Sequence, residues 1–204
     1  MKTLYCTLAL TLTALPTFGQ GSVLYQNTAG VTKEKYIYGI DLANPLSDQL
    51  GGTRAKCEGT GSFAQLFWGL SGAAEADLTA VDGSMVSFKT GTTAGLINGI
   101  SKLPIQGVLG GTRVTLQIRC WDNQGGTVTR WAQVLQNATV ARGKSVLVTN
   151  YELLGVDVDN APHIGTGNLA AAGLQSFGMF VVPEPSVIAL GALGLGVLVL
   201  RRRK

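Results

Sequence analysis

The sequence is short of charge and almost without histidine. Asp, Glu, Lys and Arg make up 14% of its 204 residues, against roughly 25% in a typical soluble domain. A single His in the whole chain removes most imidazole-dependent catalysis and most zinc sites. The basic charge that exists is concentrated at the ends. Of 16 Lys and Arg residues, Lys2, Arg201, Arg202, Arg203 and Lys204 are terminal; of 12 acidic residues, only Glu184 lies outside the stretch from Gln20 to Val181. Within that stretch the two signs cancel. The formal net charge of +4 therefore describes the termini, and no Lys/Arg cluster supplies the basic footprint of nucleic-acid binding. Glycine is plentiful instead, 28 residues, about twice the usual share of roughly 7%. Apolar residues reach 46%, enough for a core and against wholesale disorder. The glycine content and the poverty in charge and helix formers argue against a helical bundle.

The two ends read as targeting segments. Met1-Lys2-Thr3 is followed by an apolar stretch over 4–15 and by Pro16-Thr17-Phe18-Gly19-Gln20. A positive start, a short apolar region and small residues at a cleavage site make a secretory signal peptide. Thr17 and Gly19 take the small positions, so residues 1–19 leave before Gln20. The apolar stretch is too short for a permanent membrane helix. At the other end, Val182-Pro183-Glu184-Pro185-Ser186 precedes the apolar and glycine residues 187–200, and Arg201-Arg202-Arg203-Lys204 follows. As a helix, 187–200 spans about 21 Å, short of the roughly 30 Å hydrocarbon core, and Ser186 and snorkelling Arg stems extend it a little. The expectation is a transmembrane helix over 187–200. The cations fit a cytoplasmic stop. Pro183 and Pro185 would break a helix and so separate the apolar segment from the domain before it.

Residues 182–204 resemble the PEP-CTERM sorting signal of Gram-negative bacteria. The match is carried by Pro183, Glu184 and Pro185, the short glycine-containing apolar stretch and the Arg-rich end, in that order. The resemblance implies recognition by an exosortase, a membrane-embedded cysteine protease or transpeptidase. It implies processing near the Pro-Glu-Pro motif, a transient stay in the inner membrane, and delivery to the cell surface or extracellular matrix. It also implies an association with exopolysaccharide and biofilm matrix. Pro183, Glu184 and Pro185 would then be a recognition sequence for another enzyme, with Arg201, Arg202, Arg203 and Lys204 as the membrane stop.

Residues 20–181 remain as a single exported domain. In Arg113–Asp122, Val114, Leu116, Ile118 and Cys120 alternate with Thr115, Gln117, Arg119 and Trp121, the period of a half-buried strand. Gly110-Gly111 and Asp122-Asn123-Gln124-Gly125-Gly126 bracket it as turns. A second strand over 127–136 is expected to form a hairpin with it. Further strands are expected at 23–27, 36–41, 63–68, 85–89, 145–149 and 174–181. One or two helical turns are expected within 73–81, and a long loop over 160–172. Short strands without long helical periods predict an all-β fold, an antiparallel β-sandwich of jelly-roll or Ig-like type. The blocks 63–69, 88–91 and 116–122 also resemble the body of PEP-CTERM proteins, where Ala more often stands in the place of Cys120.

Catalytic constellations are sparse, and no cofactor is expected. Cys57 and Cys120 remain after Cys6 leaves, an even pair in an oxidising compartment. They are candidates for a disulfide closing a loop of about 63 residues, or for two buried thiols. His163 is the sole imidazole for a Ser-His-Asp arrangement, and no Gly-x-Ser-x-Gly elbow accompanies it. Asp157 and Asp159 share a face if extended, about 6–7 Å apart. The two carboxylates could serve a glycosidase or, with Asn160, hold calcium through oxygen ligands, but the Gly and closing Glu of an EF-hand are absent. Trp121, on the polar side of its strand, and Trp131, in the expected partner strand, are candidate sugar contacts if open to solvent and core caps if not. The expected role is structural or adhesive and not enzymatic, with exosortase and exopolysaccharide as partners and no nucleic acid. The runner-up is a carbohydrate-binding module, followed by a small hydrolase.

Overall fold

A computed structural model describes residues 20–28, 34–47, 50, 54–156 and 162–182. The expected signal peptide, Asp157 and Asp159, and everything from Pro183 onward, including the expected transmembrane helix, lie outside the described residues. Among the described residues no helix is long and apolar enough to cross a membrane.

The strands in chain order are β1 (Gln20–Tyr25), β2 (Ile37–Tyr38), β3 (Ser62–Leu70), β4 (Thr79–Ala80), β5 (Ile100–Leu109) and β6 (Arg113–Asp122). A short helix, α1 (Trp131–Gln136), leads to β7 (Arg142–Lys144), β8 (Val148–Glu152), β9 (Gly155–Val156), β10 (Pro162–His163) and β11 (Phe177–Gly178). The fold is all-β in class, and among the described residues its ladders are antiparallel except for the short parallel pairing of β2 with β11, beside one isolated parallel bridge from Leu24 to Asn168.

The spine is β6. On one side it pairs with β3 without a break, from Ser62 opposite Asp122 to Leu70 opposite Val114. Its other edge is shared: β8 takes the first half, with Tyr151 opposite Val114, and β7 takes the second, with Gly143 opposite Cys120. Ser145 spans the gap. Its N–H donates to the Ile118 carbonyl at 2.9 Å, and its hydroxyl accepts from the Ile118 N–H at 3.0 Å. A second ladder joins β1 to β5, interrupted by two register shifts. Nothing in the alternation announced β5, which contains Pro104 and a positive φ at Gly107. Among the described residues it pairs with β1 alone, and at an edge a strand tolerates proline.

The inward side chains of β6 behave as their alternation requires. Val114, Leu116, Ile118 and Cys120 enter one core with Val23 and Tyr25 of β1, Ala64 and Leu66 of β3, and Leu103 and Ile105 of β5. The opposite face is not open, however. A second core of Phe67, Leu78, Trp121, Val128, Trp131, Val134 and Val140 covers it, so β6 is buried on both sides.

One expectation needs correction here, and another is met by a single turn. Residues 127–136 do not form the hairpin partner of β6; they form a loop and α1. The Gln133 side-chain oxygen accepts from the backbone N–H of Thr129 at 2.8 Å and of Arg130 at 3.1 Å. That reach back to the first turn favours helix over strand, and burial of Trp131 and Val134 on one face completes it. Residues 73–81 hold one 3₁₀ turn, Glu75–Asp77, and then β4 on the outer edge of β3.

Candidate functional site

The aromatic candidates are core residues. Trp121 is fully buried and Trp131 is 8% exposed. Their ring centroids lie 5.9 Å apart at an interplanar angle of 62°. Phe63 meets Trp121 at 6.2 Å, and Phe67 meets Trp131 at 6.2 Å. The Trp121 indole N–H donates to the Val128 carbonyl at 3.0 Å. The Arg119 guanidinium lies 4.0 Å from the Phe67 ring centroid and 5.5 Å from that of Trp131. With both rings packed inside the protein and the Trp121 N–H bonded there, Trp121 and Trp131 do not form an open platform for a sugar. The reason is tertiary: α1 and the loop before it fold over the side of β6 that alternation marks as polar.

That side also carries a buried charge, held by an explicit network. Arg119 donates from Nε to Gln117 Oε1 at 2.8 Å and from Nη2 to the Glu75 carbonyl at 2.9 Å. Burial lowers its pKa, opposed by the nearby Glu75 carboxylate. Glu75 accepts from Lys144 and, at 3.2 Å, from Gln117. The Lys144 bond is the main cause that holds its carboxyl below the ordinary glutamate range. Lys144 and Glu75 form the ion pair, while Arg119 is held by neutral acceptors beside it, and together these bonds tie the 3₁₀ turn and β7 to β6.

Cys57 and Cys120 are both free thiols in the structure, buried in the same core. The disulfide considered from their even number is not formed. Both pack as small apolar side chains. Burial pushes the Cys57 thiol up to about 12 and raises that of Cys120 well above its ordinary value. A nucleophilic or metal-binding cysteine needs the opposite shift. His163 faces Glu152, with Nδ1 3.1 Å from Oε1. Its ring rests on Gly111, where an added Cβ would come within 2.6 Å of Nε2. Among the described residues no group of three His, Cys, Asp or Glu could hold a metal ion.

A polar groove lined in part by the block 88–91, to which the sequence assigned no chemistry, is the better candidate for a binding site. Segments 86–89 and 96–98 form a small hairpin. Phe88 bridges Ile97, the Lys89 N–H donates to the Leu96 carbonyl at 2.8 Å, and the Asn98 N–H to Ser87 at 2.9 Å. The turn is the 3₁₀ stretch Gly91–Thr93. Buried Asn27 ties this hairpin to the end of β1: its amide donates to the carbonyls of Lys35 at 2.7 Å and Gly95 at 3.0 Å, and its oxygen accepts from the Ile97 N–H at 3.0 Å. On this scaffold two hollows, of about 260 and 450 Å³, share Lys89 and Asn98. Gln26, Ser87, Thr90 and Thr93 contribute further polar lining. The Asn98 amide donates to Ser87 Oγ at 2.9 Å and to the Phe88 carbonyl at 3.2 Å. Lys89 Nζ makes no hydrogen bond or ion pair among the described residues. The arrangement presents one unneutralised cation among amides and hydroxyls, suited to an anionic, hydroxylated ligand.

Comparison with protein-family models, with curated proteins and with solved structures found no match.

Proposed function

We propose that the chain is an exported cell-surface or extracellular-matrix protein of a Gram-negative bacterium, sorted by an exosortase and serving a structural or adhesive role. The observation that carries this is the order of parts in residues 182–204: Pro183-Glu184-Pro185, an apolar stretch over 187–200, then Arg201, Arg202, Arg203 and Lys204. Such a segment, resembling a PEP-CTERM signal, joins an all-β domain whose thiols are inert and whose imidazole is paired with a carboxylate. The domain itself we read as a sandwich, because the β1–β5 ladder and the β3–β6 ladder both turn apolar side chains into one core.

Replacing Pro183-Glu184-Pro185 by three alanines is expected to leave export intact and to hold the protein in the inner membrane, as read by fractionation and by the mass of its C-terminal peptide. Normal delivery of that variant to the surface would overturn the sorting role.

A second function, binding of an acidic polysaccharide, is favoured by the groove around Lys89 and no longer by Trp121 or Trp131. In affinity electrophoresis, alginate in the gel should retard the protein more than neutral dextran does. Lys89→Gln should weaken that binding about tenfold or more, the usual cost of losing a charge-assisted hydrogen bond. Equal mobility of the wild-type protein in both gels would remove this function.

A further inference from the structure

We propose that the turn at residues 41–47 is a second membrane contact, a leucine-bearing edge that seats the domain on the lipid surface while its C-terminal segment is anchored. It rests on the anchor reading of residues 187–200.

Leu42 is 89% exposed and Leu46 is 56% exposed, although apolar side chains this open lose free energy in water. They are held out by a fixed backbone. Asp41 Oδ1 accepts from the N–H of Ala43 at 3.0 Å and of Asn44 at 3.3 Å, and the Ser47 N–H donates to the Asn44 carbonyl at 3.0 Å. The Asp41 carboxylate is thereby engaged within the turn.

The turn is fastened to the point where the chain leaves the domain. The Val181 N–H donates to the Pro45 carbonyl at 2.8 Å. Buried Arg54 donates to the Met179 carbonyl at 3.4 Å and also to the Ser47 carbonyl, so one guanidinium clamps both segments. From Val182 only Pro183, Glu184, Pro185 and Ser186 intervene before the apolar stretch. Whatever its conformation, a chain of five residue steps reaches at most about 18 Å, and the headgroup layer occupies about 5–8 Å of that. With residues 187–200 in the bilayer, the exit end of the domain therefore stands against the interface. Leu42 and Leu46 are the exposed apolar groups of the turn fastened there, with Leu50 also exposed beside the final segment, and the lipid surface is what covers them.

The test uses the full chain with Cys6→Ser, carrying one added cysteine at a time: Leu42→Cys, Leu46→Cys, Leu70→Cys or Leu195→Cys. Cys57 and Cys120, being buried, stay unlabelled in the folded protein. Leu70 is 64% exposed and ends β3, opposite Val114. The exit lies toward the other end of that ladder, because Phe180 bridges Arg142, which pairs with Trp121. Each variant is labelled with an environment-sensitive fluorophore and reconstituted into phosphatidylethanolamine–phosphatidylglycerol vesicles, with and without bromine on the acyl chains.

Labels at 42, 46 and 195 should shift to the blue and be quenched by brominated lipid, while the label at 70 does neither. If the label at 195 is quenched but those at 42 and 46 behave like that at 70, the docking edge is wrong and the anchor stands. If that at 195 is not quenched, the anchor is wrong and the docking edge falls with it. A blue shift at 42 and 46 without quenching would mean that protein covers the leucines, either this chain or a second copy, and would equally overturn the proposal.

Discussion

Trp121→Ala should lower the free energy of unfolding by about 3–5 kcal/mol, the usual cost of removing a large aromatic side chain from a packed core. Trp121 has no exposed surface. Its removal would empty the space between Phe63 and Trp131 and leave the Val128 carbonyl without its indole donor. Neither the continuous β3–β6 ladder nor α1 can close that space without breaking its own hydrogen bonds. Leu135→Ala, on the exposed side of α1, should change stability by no more than about 0.5 kcal/mol. Urea denaturation would measure both. A negligible effect at Trp121 would mean that its ring faces solvent, and would return it to the list of candidate sugar contacts.

Gly143→Ala should cost about 3 kcal/mol, at the upper end of ordinary overpacking. A Cβ at this position would lie 2.4 Å from the Gly178 carbonyl oxygen, 3.0 Å from its carbon and 3.3 Å from Met179 Cα. All three are backbone atoms, so no side-chain rotation relieves the clash. Gly143 sits in β7, which pairs with β6 at Cys120 and, among the described residues, is met on its far edge by the final segment through the bridge from Arg142 to Phe180. The segments must part, and the Phe180 amide, which donates to Arg142 at 3.0 Å, should exchange with solvent faster. Gly125→Ala is the comparison. There φ is 69° and nothing lies within 4 Å of the added Cβ, so the cost is conformational only, about 1 kcal/mol. Equal losses at the two positions would show that the β7 edge yields freely and does not hold the C-terminal segment in place.

Much of the strand pattern was legible locally. The core face of β6 follows from eight alternating residues, and β3 follows from 63–68 because a half-buried strand leaves a period of two. What misled was the other face. Trp121 stands among Thr115, Gln117 and Arg119, and a period of two cannot say whether that side meets water or a second layer. Thr127–Gln136 carries β-branched and aromatic residues that suit a strand, yet the capping by Gln133 and the pocket for Trp131 select a helix. The groove was not legible as a site, although 88–91 stood out as a block. Lys89 and Asn98 are ordinary surface residues in sequence and meet only because the hairpin is held to the end of β1 by Asn27.

The sequence by itself determined the all-β class, the main antiparallel spine, the charge-neutral middle and the composition of its two ends, because periodicity and charge are local properties of the chain. Tertiary structure alone decided that both faces of β6 are covered, that Trp121 and Trp131 are core, that Cys57 and Cys120 lie buried as thiols, and that Leu42 and Leu46 stand beside the C-terminal exit. Each of these depends on which distant segment packs against the residue, and burial of that kind is set by contacts between segments far apart in the chain.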